Sequence, residues 1–287
     1  MKVFVTGVAG QLGHDVVNEL TKRGHQAVGS DIAPTLESCA SYVTLDITDA
    51  AAVEQTIMQV QPDAIVHCAA WTAVDAAEDE ENQAKVRAIN VDGTKYIADA
   101  AKKVDAKMVY ISTDYVFDGK GTRPYLEFDR PNPQGVYGET KLAGENMVKD
   151  FADRYFIFRT AWLYGDGKNF VKTMLRLSED HDQVRVVRDQ VGSPTSTKEL
   201  AGAIAHLLFT ENYGLFHATC EGSCSWADFS REIFRLAGKP TEVVGITTEE
   251  FGAKAPRPAY SILENYMLKL TTDYRFADWH DAIALYM

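Results

Sequence analysis

The sequence predicts an α/β protein with a doubly wound parallel sheet and a smaller α/β lobe at the carboxyl end. Over residues 1–160, short runs of β-branched and aromatic residues alternate with segments of helical periodicity. Strands and helices in that order form a parallel sheet with helices on both faces. A glycine-rich turn follows the first strand, and the alternation becomes less regular beyond residue 160. The expected fold is therefore Rossmann-like, with residues 161–287 forming mainly the second lobe and some of its segments returning to the main sheet.

Composition and charge are those of a globular protein. The 287 residues are 46% hydrophobic and 24% charged, and the formal net charge is −12. This charge argues against nucleic acid or an anionic membrane as the main partner, and no apolar run reaches the ~18 residues that a membrane helix needs. Neither the cysteines nor the histidines have metal-ligand spacing, so no metal site is expected. Reduced thiols in a cytoplasmic protein are expected for all four cysteines, which are Cys39, Cys68, Cys220 and Cys224.

The first strand and the turn after it predict a dinucleotide site. Lys2–Thr6 has the composition of a buried strand, and a helical pattern later runs to about Arg23. Between them stand Gly7, Gly10 and Gly13, and such glycines let the backbone approach a pyrophosphate at the helix N-terminus. The spacing Gly-x-x-Gly-x-x-Gly differs from the standard Gly-x-Gly-x-x-Gly, so an ordinary glycine-rich turn is the alternative. Its position after the first strand favours the dinucleotide.

The second strand bears on which dinucleotide binds. Gln26–Ser30 ends at Asp31, 18 residues beyond Gly13. A carboxylate at this point suits the ribose 2′-hydroxyl of NAD and would repel a 2′-phosphate. Asp31 therefore favours NADH slightly over NADPH, although an aspartate that only closes a turn is the alternative.

Further elements continue the alternation. The acidic residues 75–81 lie where a long helix is expected to begin, and the helix dipole favours carboxylates there, so a structural and solvated role is the simpler interpretation. We expect further main-sheet strands near residues 42–47, 64–68, 107–111 and 155–159, and helices at about 50–60 (capped by Thr48 or Asp49), 75–103 and from 137 onward. In the second lobe we expect helices near residues 170–177, 197–209 and 226–236, and strands near 184–187 and 215–218.

Small and hydroxyl-bearing residues follow the fourth and fifth strands, at the edge where open α/β sheets hold their ligands. Ala69 and Ala70 leave room for a cofactor, or only allow close packing. Thr113 carries a hydroxyl able to hydrogen-bond a carbonyl oxygen, or only finishes its strand. The two strand ends together predict a ligand site at this edge.

Tyr137 and Lys141 form the pair around which a reaction can be built. They stand four residues apart where a helical pattern begins, so both side chains lie on one helix face. A free tyrosine titrates near pH ~10, and a neighbouring cation favours its phenolate. We therefore expect Lys141 to lower the Tyr137 pKa, so that the pair can exchange protons near neutral pH. A solvated lysine beside a half-buried tyrosine is the alternative.

Taken together, these features resemble the extended short-chain dehydrogenase/reductase superfamily over nearly the whole chain. Within it, the sequence is most similar to the family of dTDP-4-dehydrorhamnose reductases. The strings that carry this resemblance are residues 6–13 (TGVAGQLG), 112–119 (STDYVFDG), 159–165 (RTAWLYG), 169–174 (NFVKTM) and 189–195 (DQVGSPT), together with the Tyr137–Lys141 pair.

The resemblance implies reduction of the C4 ketone of dTDP-4-dehydro-L-rhamnose by NADH or NADPH. It implies that Tyr137 protonates the carbonyl oxygen, that Thr113 donates a hydrogen bond to it, and that Lys141 holds the nicotinamide ribose. The remaining implied cofactor contacts are Gln11, Leu12 and Gly13 for the pyrophosphate, Asp31 for the adenosine ribose, Asp46 and Ile47 for the adenine, and Ala69, Ala70 and Trp71 for the nicotinamide side. The implied substrate contacts are Asp114, Trp162, Asn169, Gln190 and Arg257.

Two departures separate the chain from related dehydratases, which carry Thr-Asp-Glu after the fifth strand. Tyr115 replaces that glutamate, and Trp162 stands where dehydratases and epimerases tend to have asparagine. Reduction without elimination therefore fits better.

Two alternatives stay open: another dTDP-hexose 4-ketoreductase or epimerase, and a non-catalytic dinucleotide-binding subunit like the regulatory subunit of methionine adenosyltransferase. The expected partner is a nucleotide sugar, and a homodimer is left open because no apolar surface can be read from sequence.

Overall fold

The structure is a computed structural model that describes residues 1–34 and 41–287, so Cys39 lies outside the described residues. The strands are β1 (Lys2–Thr6), β2 (Gln26–Asp31), β3 (Tyr42–Thr44), β4 (Ala64–His67), β5 (Lys107–Thr113), β6 (Tyr155–Thr160), β7 (Leu163–Tyr164), β8 (Gln183–Val187), β9 (Val191–Gly192), β10 (Thr195–Ser196), β11 (Gly214–His217), β12 (Cys224–Ser225) and β13 (Glu242–Ile246). The helices are α1 (Gln11–Lys22), α2 (Ala50–Val60), α3 (Val74–Ala77), α4 (Glu80–Arg87), α5 (Thr94–Lys103), α6 (Val136–Phe151), α7 (Phe170–Asp180), α8 (Thr197–Leu207), α9 (Trp226–Ala237), α10 (Thr248–Phe251), α11 (Tyr266–Thr271) and α12 (Trp279–Tyr286).

The main sheet of the described residues is parallel throughout, in the order β11-β6-β5-β4-β1-β2-β3. The order reverses direction between β1 and β4, and a crevice opens at such a switch point beside the carboxyl ends of the strands. The predicted Rossmann-like class is confirmed. β11 comes from the carboxyl-terminal half of the chain and pairs with β6.

Helices cover both faces of the sheet because its strands are apolar on both sides. Val3 and Val5 of β1 face a core that includes residues of α1 and α8. Phe4, between them, faces a second core with residues of α2 and α5. Each buried side chain of this kind stabilises the fold by about 1.5–3 kcal/mol. A sheet covered on both faces leaves only its edges and strand ends for a ligand.

Second-lobe strands form three small pairs: β7 with β10, β8 with β13, and β9 with β12. Helix α9 begins at a capping box between Ser225 and Asp228 and ends at Gly238 in the left-handed conformation. None of the helices within the described ranges has the length and apolar character needed to cross a bilayer.

Two predicted elements differ from the structure. The third strand ends at Thr44 rather than residue 47, because Asp46 accepts hydrogen bonds from the backbone N–H and the hydroxyl of Thr48 and turns the chain. Asp49 then caps α2. The helix expected over 75–103 is instead divided into α3, α4, a π-helical turn at Ala88–Gly93 and α5. In that turn the Asn90 side chain bonds both backbone groups of Trp71, which brings the loop after β4 against the helix.

Candidate active site

A cleft of about 940 Å³ lies at the carboxyl edge of the sheet, beside the switch point. Most residues predicted for the site line this cleft, although they are spread over residues 7–169. They are Gly7, Gly10, Gln11, Leu12, Gly13, Asp31, Asp46, Ile47, Ala69, Ala70, Thr113, Asp114, Tyr137, Lys141, Trp162 and Asn169.

The glycine turn has a shape that side chains would destroy. Gly7 adopts φ +71°, and a Cβ there would lie 2.6 Å from the backbone nitrogen of Ala69. A Cβ on Gly13 would lie 2.3 Å from the carbonyl oxygen of Gly7. Gly10 caps α1 without any side-chain hydrogen bond, so the first N–H groups of the helix are free of a capping side chain. Such a helix start suits an anionic group, and the turn therefore fits a dinucleotide pyrophosphate.

Asp31 is held at the end of β2 by the turn that it faces. Its Oδ2 accepts a hydrogen bond from the Ala9 N–H at 3.0 Å, and its Oδ1 accepts one from the Ile32 N–H at 2.8 Å. Residues 32–41 contain no lysine or arginine, the residue types that accommodate a 2′-phosphate. Asp31 therefore faces the cleft with no basic residue supplied by the segment that follows β2.

Beneath the cleft, His67 joins the ends of β1 and β4. Its two ring nitrogens lie 2.7 Å from the Thr6 hydroxyl and 3.2 Å from the Thr94 hydroxyl. Burial lowers the His67 pKa to about 3, with a smaller contribution from the charge on Lys141. His67 is therefore a neutral core residue, and Thr6 in turn accepts the Ala69 N–H at 3.2 Å. This network orients the loop after β4.

Thr113 and Asp114 stand at the end of β5. The Thr113 hydroxyl donates to Asp114 Oδ1 at 2.9 Å and accepts the Tyr115 N–H at 3.2 Å. Burial raises the Asp114 pKa to about 6, although the Thr113 hydroxyl, the nearby Ser261 hydroxyl and backbone N–H groups oppose the shift. A carboxyl group that loses its proton near pH 6 therefore lies in the cleft.

Tyr137 is the second residue of α6. Its ring meets that of Tyr115 edge to face, with the centroids 5.4 Å apart. Burial raises the Tyr137 pKa well above its ordinary value. The nearby Thr113 hydroxyl opposes this rise, and the charges of Asp114 and Tyr115 add to it. The direction is opposite to the one predicted from the tyrosine–lysine spacing, because burial outweighs any influence of Lys141. Tyr137 therefore holds its proton at neutral pH.

Lys141 lies one turn further along α6 and is only 3% exposed. Its ammonium sits 4.2 Å from the centroid of the Tyr110 ring. Burial lowers the Lys141 pKa to about 7, while the nearby Glu145 and Cys68 raise it. The ammonium is therefore close to losing its proton at neutral pH, which a solvated lysine would not be.

A buried ion pair lies one further turn along the same helix. The Glu145 carboxylate accepts two hydrogen bonds from the Arg159 guanidinium, both at 2.8 Å, and one from the Ser112 hydroxyl at 2.6 Å. Glu145 is 0% exposed and Arg159 2%. This pair joins α6 to the ends of β5 and β6 and so fixes the helix that carries Tyr137 and Lys141.

Trp162 forms the wall of the cleft on the side of the second lobe. Its backbone adopts φ +50°, a left-handed conformation that costs a non-glycine residue about 1–3 kcal/mol. Its ring stacks on Trp226 with the centroids 3.5 Å apart and the planes 6° from parallel. Gly192 leaves space for the indole, since a Cβ there would lie 2.6 Å from it.

Comparison with known proteins shows the family of the chain. The family described as RmlD substrate binding domain matches residues 1–287. The spore coat polysaccharide biosynthesis protein SpsK of Bacillus subtilis is 39% identical over 100% of this chain and 96% of its own length. A dTDP-4-dehydrorhamnose reductase structure from Clostridium acetobutylicum has a TM-score of 0.94 and is 47% identical, covering 100% of this chain and 98% of its own. The chain belongs to the dTDP-4-dehydrorhamnose reductase family.

A second reductase structure, from Bacillus anthracis, was solved in complex with NADP. It is 40% identical with a TM-score of 0.93, over 99% of this chain and 98% of its own. That relative therefore binds a dinucleotide.

Three predicted residues do not line the cleft of this reductase-family chain. The Trp71 indole N–H donates to the Ala73 carbonyl at 3.0 Å, and the Gln190 amide donates to the Thr248 hydroxyl at 3.1 Å. Arg257 pairs with Asp75 at 2.6 Å, so one residue of the acidic run 75–81, which we interpreted as structural and solvated, joins the two lobes. The partner of Trp71 is local, whereas Gln190 and Arg257 meet partners 58 and 182 positions away along the chain, which sequence patterns do not report.

Asn169 lines the cleft but is occupied by other contacts. Its side-chain oxygen accepts the Lys172 N–H and caps α7, while its amide reaches the carbonyl of Gly165 and the Gln11 side chain. This arrangement ties the second lobe to the glycine turn rather than exposing a free amide to substrate.

Sequence reasoning missed Glu145, Arg159, Cys68 and Trp226. Glu145 stands four residues after Lys141, and Trp226 stands at the start of a predicted helix. Both positions are visible in the sequence, but neither indicates which residue the side chain contacts. Among residues 1–34 and 41–287, no cluster of three or more His, Cys, Asp or Glu residues could hold a metal ion.

Proposed function

We propose that this chain reduces the C4 ketone of dTDP-4-dehydro-L-rhamnose to dTDP-L-rhamnose with NADH or NADPH, the last step of dTDP-rhamnose biosynthesis. One observation carries the proposal. Tyr137, Thr113 and Lys141 line the same cleft as a glycine turn shaped for a dinucleotide, in a member of the reductase family. When bound, the reduced nicotinamide supplies hydride to C4, and the protein positions the reactants and stabilises charge.

Cofactor binding is assigned to the glycine turn and the strand ends beside it. The N–H groups of Gln11, Leu12 and Gly13 would hold the pyrophosphate at the start of α1. Asp31 would bind the adenosine ribose, and its negative charge favours NADH. The remaining cleft residues assigned to the cofactor are Asp46, Ile47, Ala69 and Ala70.

Tyr137 is assigned as the proton donor to the carbonyl oxygen. A reductase needs a protonated acid at the moment when hydride arrives, and the raised Tyr137 pKa keeps the phenol protonated throughout the physiological range. The Thr113 hydroxyl lines the same cleft as the phenol and would donate to the same substrate oxygen. General acid catalysis of this kind contributes about 10²–10⁴-fold to the rate.

Lys141 is assigned to the nicotinamide ribose and to the electrostatics of the acid. Its buried ammonium lies on the same helix face as Tyr137 and would stabilise the phenolate left after proton transfer. Because its pKa is about 7, the charged form needed for this role declines above neutral pH.

Residues 161–287 are proposed to form mainly the substrate lobe. Trp162 offers an aromatic surface to the sugar, and Asp114 a carboxyl group to its hydroxyls.

We further propose that the chain works in the cytoplasm, consistent with the free thiols of Cys68, Cys220 and Cys224. A homodimer is proposed on the exposed edge-to-face pair of Phe128 and Tyr266, 6.0 Å apart, and light scattering would test it.

The test follows the absorbance of NADH and of NADPH with enzymatically generated dTDP-4-dehydro-L-rhamnose. We expect oxidation of the cofactor, dTDP-L-rhamnose as the product, and a kcat lowered at least ~10²-fold by Tyr137→Phe. Tyr96→Phe, on α5 and outside the cleft lining, is the matched control and should keep the wild-type rate. A different deoxyhexose would select another 4-ketoreductase or epimerase. Binding of cofactor without turnover would refute the reductase assignment.

A further inference from the structure

Asp114 is buried in the cleft in an incomplete environment. It is 2% exposed, and its Oδ1 accepts the Thr113 hydroxyl at 2.9 Å. Its Oδ2 has no hydrogen-bond partner and no contact with solvent. Ser261 lies close by, but its hydroxyl is directed toward the Val191 carbonyl at 3.4 Å. A buried carboxylate oxygen without a partner costs free energy, so a proton on this group would relieve an unfavourable state.

Thr113 has only one proton to donate. Its oxygen already accepts the Tyr115 N–H at 3.2 Å, and its O–H points to Asp114 Oδ1. A hydroxyl is a single donor. As long as the Thr113 hydroxyl donates its hydrogen bond to Asp114, it cannot donate one to the substrate oxygen or to Tyr137. The arrangement seen in the structure therefore withholds the hydrogen bond that the proposed reaction requires.

We propose that the protonation state of Asp114 switches Thr113 between a resting and a working orientation. When Asp114 is ionised, it accepts a hydrogen bond from the Thr113 hydroxyl. When Asp114 is protonated, its own O–H donates to Thr113 Oγ1, and the Thr113 hydroxyl turns its proton toward the carbonyl oxygen of the substrate. Asp114 is a positioning residue in this scheme, which rests on the proposed reduction. No proton of Asp114 is consumed: Tyr137 supplies the proton, and the cofactor supplies the hydride.

The surroundings of Asp114 allow both protonation states. Burial raises the Asp114 pKa to about 6 against the opposing hydrogen bonds. The titratable groups that face it are Tyr115 and Tyr137, both of which burial keeps neutral. Arg257, which does not line the cleft, is directed to Asp75, and Lys141, which does, to the Tyr110 ring. Among residues 1–34 and 41–287, no ammonium or guanidinium shifts the Asp114 pKa toward the charged form.

The experiment measures kcat/KM from pH 5 to 9 for wild type, Asp114→Asn, Thr113→Val and the double variant. The side-chain amide introduced by Asp114→Asn can donate to Thr113 at every pH and so imitates protonated Asp114. Wild-type kcat/KM should begin to fall above about pH 6, and that of the Asp114→Asn variant only near pH 7, where Lys141 titrates. The ratio of variant to wild type should rise about tenfold or more between pH 5 and pH 8, because the Lys141 contribution cancels in the ratio.

Thr113→Val should lower kcat/KM at every pH, and adding Asp114→Asn to it should change nothing further, since both act through one hydroxyl. Asp118→Asn, outside the cleft, is the matched control and should keep the wild-type profile. Thermal melting and cofactor binding check that each variant is folded.

A ratio of Asp114→Asn to wild type that stays constant with pH would overturn the inference and leave Asp114 as a sugar-binding group that alters KM alone. A further loss in the double variant would also overturn it. Absence of reduction by wild type would instead refute the proposed function itself, so the two failures are distinguishable.

Discussion

Glu145→Gln is the substitution whose cost the structure defines best. It replaces a carboxylate that is 0% exposed and bonded twice to Arg159, while the Arg159 Nη1 already lacks a partner. Removing one member of a buried pair costs about 3–5 kcal/mol, because the other charge stays buried. Glutamine keeps one acceptor oxygen, so we expect about 3 kcal/mol. For a chain of 287 residues this corresponds to about 5 °C in Tm.

The pH dependence of that cost has a defined sign. Burial alone would raise the Glu145 pKa, but the bonds from Arg159 and Ser112 outweigh it, so the folded pKa is lowered. A carboxyl group with a lowered folded pKa contributes stability above its unfolded pKa of about 4.3 and loses it as pH falls through the folded value. The difference between wild type and Glu145→Gln should therefore be largest at neutral pH and shrink below about pH 4.

Urea unfolding followed by circular dichroism measures the free energy of unfolding at pH 7 and at pH 3.5. Glu139→Gln, exposed on the same helix, is the control and should cost less than about 0.5 kcal/mol. The double replacement Glu145→Leu with Arg159→Met should recover most of the loss, because no unpaired charge remains. A loss at Glu145→Gln no larger than that of the control, or one independent of pH, would refute the reasoning.

Two further predictions follow from close contacts. Gly13→Ala should weaken NADH binding at least tenfold in a fluorescence titration, because its Cβ would lie 2.3 Å from a carbonyl oxygen of the turn. Gly24→Ala is the control and should leave the affinity for NADH unchanged, because no atom lies within 4 Å of its Cβ. Equal losses of affinity in the two variants would contradict this prediction. Trp226→Leu should release Trp162 from its stack, raise KM several-fold with a smaller effect on kcat, and remove the signal of paired indoles from the circular dichroism spectrum. Trp279→Phe should preserve that signal, whose survival in Trp226→Leu would disprove the pairing.

The sequence predicted those parts of the fold and site that depend on local order along the chain. The strand–turn–helix at Gly7–Gly13 and the helical interval from Tyr137 to Lys141 are local, and both groups line the cleft. The break of the helix expected over 75–103 was missed because it depends on Asn90 reaching back to Trp71. Pairings between distant residues have no local signal.

Charge states could be predicted least well. The spacing of Tyr137 and Lys141 suggested a lowered tyrosine pKa, but a pKa responds to burial, which depends on everything packed around the pair. The surroundings of Asp114 likewise include Ser261, a second-lobe residue 147 positions further along the chain. Such features need the assembled lobes.

The burial of Lys141 has a consequence for the evolution of thermal stability in this protein. Its folded pKa, about 7, lies well below the unfolded value of about 10.4, so at neutral pH the group opposes folding. Neutral apolar replacements at this position would raise the free energy of unfolding while removing the ammonium group. Selection for heat resistance alone would therefore tend to discard this lysine, and selection for turnover would restore it. A thermophilic relative that keeps the lysine must gain its resistance elsewhere in the chain.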